Sequence, residues 1–339
     1  MRVFTGVSLL CWLLAWLGLA GGQDSTLIHE TDSYRVDVRL VQVDAQVISK
    51  KTHQVAGSLE QHDLRVYEDG VQQQISTFSQ DELPLSVVLL VDLTDSVRPV
   101  LQALSQGAQQ ALQHLKPQDE VAVMVYSAST YLLQSFTTDR SLAAAAIDKA
   151  AHLGSPEAAF FNEAVFQAGW YLSAAKNPDS RRVILWFTDN VPNTPSPALK
   201  ARAGRSLSGK ELHTEKQALE QLFRTGTVVC ALLKRSLLSD QHEMGYHSEM
   251  AVDRRLYPPG DVHQYARATG GLVVESSGKT VPAKLAELID DLRLRYTLGY
   301  RPSVAKPQGT FCTIKVELAP EVKKLQKDLV VEARQGYYR

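Results

Sequence analysis

The chain has 339 residues, of which 44% are hydrophobic and 22% are charged. Its 36 basic and 37 acidic residues leave a formal net charge of −1, which excludes a global positive field, so no nucleic-acid partner is expected. The three cysteines are too few for a disulfide-stapled miniprotein, and the length predicts about two domains.

The first 22 residues have the three-part pattern of an export signal. Arg2 gives a positive start, residues 7–20 are almost entirely apolar, and small residues around Ala20 precede the polar Gln23. At about 14 residues the apolar stretch is short for a membrane span, and an uncleaved N-terminal anchor is the alternative. We therefore predict removal of residues 1–22 and a mature protein without a membrane span that is secreted, periplasmic or in the cell envelope.

Residues 23–80 are predicted to form an N-terminal β-module. From residue 34 onward apolar residues alternate with polar ones, and the phase slips once, which predicts a strand with a bulge or a strand buried on both faces at its middle. Asp69-Gly70 separates two strand-like segments, residues 64–68 and 73–78. Because both turn residues tolerate a positive φ, this pattern predicts a hairpin.

Residues 85–295 have a different pattern, in which nearly unbroken apolar runs alternate with amphipathic helical stretches. Such runs are typical of strands buried on both faces, and their alternation with helices of about 12–18 residues predicts a doubly wound, mostly parallel α/β sheet of the Rossmann-like kind. The predicted strands are residues 85–91, 121–126, 183–187, 227–233 and 272–274, and the predicted helices include residues 139–152, 161–175, 210–224, 261–268 and 281–295.

Residues 296–339 return to a β pattern, with strand-like segments at 296–300, 311–318 and 329–334. Three short strands cannot bury both of their faces alone, so we expect them to pack with the N-terminal module. The α/β domain would then be inserted into a small β-domain built from both ends of the chain. The alternative is an extra hairpin on the α/β sheet.

Two cysteines remain after removal of the signal, Cys230 and Cys312. Both lie among apolar residues and are predicted to be small core residues. A disulfide between them is the alternative in an oxidising compartment.

Two of the predicted parallel strands end in an aspartate, Asp92 and Asp189, where ligands of open α/β sheets bind. Thr94 and Ser96 follow Asp92 at alternate positions, so their oxygens can converge on one point. Hydroxyl and carboxylate oxygens suit a hard divalent cation, Mg²⁺ above all, with Mn²⁺ or Ca²⁺ as substitutes. Capping of the next helix is the alternative role for these residues.

The pattern Asp92-x-Thr94-x-Ser96, with Asp189 on a later strand, resembles the metal-ion-dependent adhesion site of von Willebrand factor A domains. The segments around it resemble the VWFA-related family of secreted bacterial proteins that is abundant in acidobacteria. The matching segments are Val36-Asp37-Val38, Tyr67-Glu68-Asp69-Gly70, the Tyr-x-Leu-Gly-Tyr motif Tyr296 to Tyr300, and the closing Arg334, Gly336 and Tyr337.

The resemblance implies a von Willebrand factor A-like domain over residues 85–295 and a metal held by Asp92, Thr94, Ser96 and Asp189. In such domains the cation leaves one coordination position open for a carboxylate of a protein partner. The expected function is therefore non-enzymatic binding or adhesion. Specificity would come from the surrounding loops, which we predict at residues 127–138, 154–160, 190–212 and 236–260.

One expected ligand of the family is missing from the sequence. Ala159 stands where the family has a loop threonine, and Ser155 is a nearby hydroxyl that could replace it if the loop is reshaped. Asp95 also adds a negative charge where the family has a small residue. These departures favour an alternative in which the protein is a metal-independent envelope scaffold with a degenerate cation site.

A hydrolase that uses Asp92 or His242 is a further alternative. The segment from His242 to His247 resembles a zinc-protease motif, but its second histidine comes one residue too late for the i, i+4 face of a helix. No Gly-x-Ser-x-Gly elbow and no phosphate-binding glycine loop is present in the sequence.

Overall fold

The computed structural model describes residues 40–52, 54–80, 83–154, 158–193, 212–234 and 258–339. All of them belong to one compact unit, Val38–Arg339. The predicted signal over residues 1–22 lies outside the described residues. No helix in the described ranges is both long enough and apolar enough to cross a membrane.

Strands and helices are numbered in chain order. The strands are β1 (Val41–Ser49), β2 (Leu64–Glu68), β3 (Val71–Gln73), β4 (Ile75–Gln80), β5 (Leu85–Asp92), β6 (Glu120–Tyr126), β7 (Thr130–Thr137), β8 (Arg181–Thr188), β9 (Val228–Lys234), β10 (Val273–Ser276), β11 (Tyr296–Tyr300), β12 (Phe311–Leu318), β13 (Leu329–Ala333) and β14 (Gly336–Tyr338). The helices are α1 (Arg98–Leu112), α2 (Arg140–His152), α3 (Phe161–Leu172), α4 (Glu215–Thr225), α5 (Val262–Thr269), α6 (Val281–Arg293) and α7 (Pro320–Leu325).

A six-stranded sheet of order β10-β9-β8-β5-β6-β7 forms the centre of the fold. Its strands are parallel except β7. Helices cover both faces: α1, α2 and α6 enclose one apolar cluster, and α3, α4 and α5 enclose the other. Every residue of the central strand β5 is buried, as its unbroken apolar run predicts. The doubly wound α/β fold is confirmed.

The edge strand β7 was not expected, because the sequence predicts a loop over residues 127–138. β7 pairs with β6 in antiparallel fashion, and its register with β6 shifts twice. Tyr131 and Leu132 are exposed on it. A strand at the edge of a sheet has neither a continuous buried run nor a clean alternation, so its sequence lacks the signal that identified the inner strands.

The segments before and after the central sheet build two further four-stranded sheets. One has the order β13-β1-β11-β4, and the other has the order β14-β12-β2-β3. β1 therefore lies between two strands from the C-terminal end of the chain, and its residues Ala45 to Ile48 are buried on both faces. The terminal strands do not form a hairpin on the central sheet.

Three of the motifs that carry the family resemblance meet around the buried carboxylate of Glu68, and the fourth, residues 36–38, lies outside the described residues. Its Oε2 atom accepts hydrogen bonds from the hydroxyls of Tyr300, at 2.6 Å, and Tyr337, at 3.1 Å. The next residue, Asp69, has a φ of 49° in the predicted β2–β3 turn and accepts from the backbone and hydroxyl of Thr313. The segments of Glu68, Tyr300 and Tyr337 therefore link the two terminal sheets.

Cys230 and Cys312 are both buried and both free. Cys230 packs in a cluster of the central sheet, and Cys312 packs in the cluster shared by the terminal sheets. The prediction of two small core residues is confirmed, and the two thiols do not form a disulfide.

Candidate metal centre

Asp92 and Thr188 end the neighbouring parallel strands β5 and β8, which pair up to Val91 and Phe187. The hydroxyl of Thr188 lies 3.3 Å from Asp92 Oδ2, and Asp189 follows directly after it. The carboxyl ends of these strands thus bring both predicted aspartates to the same edge of the sheet, as the strand-end rule for open α/β sheets requires.

Thr94 and Ser96 lie in the turn between β5 and α1, beside Asp92. Asp92 Oδ1 accepts from the backbone N–H of Thr94 at 2.9 Å and from its hydroxyl at 2.7 Å. The hydroxyls of Thr94 and Ser96 are 3.2 Å apart. The alternate spacing therefore gathers three oxygen-bearing side chains into one hydrogen-bonded group just before the N-terminus of α1.

Two further residues, Tyr126 and Trp186, support Asp92 from the inner side of the sheet. The Tyr126 hydroxyl donates to Asp92 Oδ2 at 3.0 Å, and it accepts from Trp186 Nε1 at 2.9 Å. Both rings are fully buried. Sequence reasoning missed Tyr126, because its position at the end of β6 shows its proximity to Asp92 only once β6 is paired with β5.

Asp92 is fully buried, and its environment disfavours the charged carboxylate. Burial, and next the negative charge of Asp189, raise the pKa of Asp92 to about 6, against the hydrogen bonds from Thr94 and Tyr126. A bound cation would reverse this balance, since it favours the charged form of both aspartates.

Asp189 is also buried, and one of its two carboxylate oxygens is not satisfied. Oδ1 accepts from the N–H of Val191 at 3.1 Å, whereas Oδ2 has no hydrogen-bond partner among the described residues. A buried carboxylate oxygen left without a partner is costly and calls for an ion or another ligand. The donor set consists of oxygens alone, which fits Mg²⁺, Mn²⁺ or Ca²⁺.

Asn190 fixes the backbone after Asp189. It takes a φ of 57°, a left-handed conformation that asparagine tolerates, and its side-chain oxygen accepts from the N–H of Val262 at 3.0 Å. Asn190 thereby ties the first turn of α5 to the carboxyl end of β8.

Two positively charged side chains lie next to the cluster. Arg98 binds Asp95 with an Nη2–Oδ1 distance of 2.5 Å, and the Asp95 side chain is 66% exposed. The Asp95 charge is thus neutralised by its neighbour and turned towards solvent. The ammonium group of Lys234, at the end of β9, donates to the backbone carbonyl of Ser96.

Ala159 supplies no side-chain oxygen at the position of the family threonine. It is fully buried in the apolar cluster that also contains Tyr126 and Trp186. Its backbone N–H donates to the side-chain oxygen of Asn193 at 2.7 Å, and its carbonyl accepts from the N–H of Asn193. Ser155, the possible replacement, and His242, of the alternative hydrolase, lie outside the described residues.

Comparison with known proteins identifies the class of the central domain. Residues 87–191, from β5 to the turn after β8, match the family model of the von Willebrand factor type A domain. Together with the doubly wound sheet, this match supports a von Willebrand factor A-type domain in this part of the chain. Such domains are protein-interaction modules and are often metal-dependent. The match includes Asp92, Thr94, Ser96 and Asp189. None of the curated proteins matches the chain in sequence.

Solved structures to which the chain is similar include a von Willebrand factor type A protein from Catenulispora acidiphila, at 9% identity and a TM-score of 0.44, which covers 90% of this chain and 73% of its own. The conserved hypothetical protein BatB from Bacteroides thetaiotaomicron is 15% identical with a TM-score of 0.38, over 61% of this chain and 98% of its own. The SpRpn10 VWA domain is 13% identical with a TM-score of 0.38, over 66% of this chain and 100% of its own.

Proposed function

We propose that this chain is an exported, non-enzymatic binding protein of the VWFA-related type. Its A-type domain engages a carboxylate of a protein partner through a divalent cation, and the cation supplies the Lewis-acid position that the carboxylate fills. The observation that carries the proposal is the buried, unpartnered Oδ2 atom of Asp189 next to the buried Asp92. The residues that would hold the cation are Asp92, Thr94, Ser96 and Asp189.

The hydrogen bonds within the cluster leave oxygens available for a cation. The Thr94 hydroxyl donates its proton to Asp92, so the lone pairs of Thr94 Oγ1 can face a cation. Tyr126 and Thr188 hold Asp92 Oδ2 from behind and so fix the orientation of the carboxylate. A ligand set held by such supporting contacts needs little rearrangement on binding.

The proposed location rests on the sequence pattern of the first 22 residues. A basic start, an apolar stretch and small residues before a polar segment are the features read by export machinery. Export would place the domain where an adhesion partner is accessible.

Calorimetric titration of the chelator-stripped full chain with Mg²⁺ and Mn²⁺ tests the cation site. Wild type is expected to bind, and Asp92→Ala is expected to show no heat of binding while it keeps its circular dichroism spectrum. Asp95→Asn is the matched control. It also removes a carboxylate from the turn, but that carboxylate is exposed and paired with Arg98, so this variant should bind as wild type does. Absence of binding by wild type, or equal binding by Asp92→Ala, contradicts the proposal.

A metal-independent interaction scaffold is the second candidate. It is favoured by Ala159, which offers no side-chain oxygen, and by the four hydrogen bonds that Asp92 already accepts. In that case the protein would remain bound to an immobilised partner after a chelator wash. Release by the chelator, followed by recovery with Mg²⁺, would instead support the cation-dependent function.

A further inference from the structure

A cavity of about 330 Å³ lies at the opposite edge of the central sheet from the aspartate cluster. It opens where the first residues of β8 and β9 meet the terminal strands β1 and β14. β8 begins at this cavity and ends at Thr188, directly before Asp189, so at about 3.3 Å per residue the two sites are roughly 25 Å apart. Five arginines line the cavity, and they are Arg181, Arg182, Arg224, Arg334 and Arg339.

Arg181 forms the inner wall of the cavity, with a side chain that is only 1% exposed. Its guanidinium lies 3.2 Å from Asp44 Oδ1 and donates to the hydroxyl of Thr297 at 3.1 Å and to the carbonyl of Leu292. Its Nε atom is buried and has no hydrogen-bond partner. An unpaired buried N–H on a cation is costly, so this group calls for an acceptor.

The guanidinium groups of Arg334 and Arg224 each lie over the ring of a tyrosine in β14. The Arg334 guanidinium lies 5.6 Å from the ring centre of Tyr337, donates to the carbonyl of Gln42, and has a buried Nε atom without a partner. The Arg224 guanidinium lies 4.4 Å from the ring centre of Tyr338. Contact with an aromatic face fixes the plane of a guanidinium but leaves its in-plane N–H groups available to an anion.

The carboxylates of the cavity do not balance these cations. Among the side chains that line the cavity, only those of Asp44 and Asp179 are acidic. A third carboxylate, that of Glu220, does not line the cavity but lies 2.6 Å from the Arg224 guanidinium. Burial alone would raise the pKa of Asp44, but the charges of Arg181 and other arginines lower it. The cavity therefore has an excess of positive charge and unpaired donors.

We propose that this cavity binds a small oxyanion ligand that carries at least two negative charges, on phosphate or carboxylate groups. Guanidinium groups match the geometry of both through paired N–H···O bonds, and the volume lies at the lower end of the range of small-molecule sites. The site is independent of the cation cluster and adds a second ligand to the function proposed above.

Calorimetry of the full chain at low ionic strength, after metal has been stripped with a chelator and the chelator has been removed, tests this site. Pyrophosphate and citrate are the probes, the first for phosphate ligands and the second for carboxylate ligands. At least one of them is expected to bind. The probe that binds more tightly shows whether the natural ligand carries phosphate or carboxylate groups. Binding should weaken as salt is added, because the attraction is electrostatic.

Arg224→Gln and Arg339→Gln are expected to weaken the binding of that probe about 10-fold each, since each removes a charged hydrogen-bond donor. Arg224 is 48% exposed and pairs with Glu220 four positions earlier, so its loss leaves the fold intact. The matched control is Lys284→Gln, which removes an exposed i, i+3 ion pair on α6 and should bind as wild type does. Silence with both probes, or an equal loss in Lys284→Gln, overturns the proposal.

Discussion

The two ends of β8 place opposite chemistry at opposite edges of one sheet. At its carboxyl end lie buried oxygens, with Asp92 and Asp189 close enough to raise the pKa of Asp92. At its amino end Arg181 and Arg182 face the arginine-lined cavity. A parallel sheet makes this separation possible, because all of its parallel strands begin at one edge and end at the other.

Helix ends add to the same separation. Arg182 donates to the carbonyls of Leu172 and Thr225, the last residues of α3 and α4, where the helix dipole is negative. The aspartate cluster instead precedes α1, and Asn190 accepts a hydrogen bond from Val262, the first residue of α5, so both lie at helix N-termini, where the dipole is positive. The fold thus favours cations at one edge and anionic side chains at the other. Each edge also leaves an unpaired buried atom, Arg181 Nε and Asp189 Oδ2.

The largest effect is expected at the arginine edge. Arg181→Met should lower the free energy of unfolding by about 3–5 kcal/mol, because it leaves the largely buried Asp44 carboxylate without its closest cation. Urea denaturation measures the change. Arg224→Gln, an exposed arginine of the same cavity, should change it by no more than about 1 kcal/mol. Equal losses of free energy of unfolding in the two variants would contradict the expectation that the buried arginine contributes more to stability than the exposed one.

The raised pKa of Asp92, at the aspartate edge, should make the free energy of unfolding depend on pH. The pKa of Asp92 is raised from 3.8 to about 6 in the folded chain, so the folded state holds this proton more tightly than the unfolded state does. Tighter proton binding stabilises the folded state by about 3 kcal/mol below about pH 4. This contribution is lost as the pH rises from about 4 to about 6.

Urea denaturation of wild type and Asp92→Asn in the presence of a chelator isolates that contribution. The free energy of unfolding of wild type should fall relative to the variant between pH 4 and pH 6. Asp291 also has a pKa raised to about 6, mainly by burial, but it is present in both proteins and cancels in the difference. Parallel pH curves would contradict the expected shift.

The smallest effect concerns the repulsion between the two buried aspartates. Asp189→Asn should stabilise the metal-free chain by about 1 kcal/mol, because it removes a like charge near Asp92. Thermal melting with a chelator measures this gain. Addition of Mg²⁺ should then stabilise wild type but not the variant.

Asp179→Asn provides the control from the other end of the strand. This aspartate is exposed and lies among the arginines, so its loss should not stabilise the chain. A similar gain in both variants would show that the effect comes from the change in net charge and not from the aspartate pair.

Much of the fold could be predicted because its inner strands carry unambiguous patterns. The predicted bounds of β11 and β12 agree with the structure. The strand-end rule also placed Asp92 and Asp189 at one edge. Their role as metal ligands stays a prediction.

The remaining features depend on pairings that the sequence does not contain. Tyr126 reaches Asp92 only because β6 lies beside β5, and β7 has an edge pattern too weak to identify. The arginine cavity joins residues from both ends of the chain with residues of the central domain. Apart from Arg334, which belongs to the closing motif, none of these arginines lies in a motif that the sequence analysis identified.

The position of β1 between β11 and β13 also sets an order of assembly. Ala45 pairs with Tyr296 and Ala333, so the partners of β1 are synthesised only after the whole central sheet. At about 5–20 residues per second the delay is on the order of 10–50 seconds, during which the central sheet can form and β1 cannot. A nascent chain that stops before residue 296 lacks both strand partners of β1, so closure of this terminal sheet requires synthesis through β13.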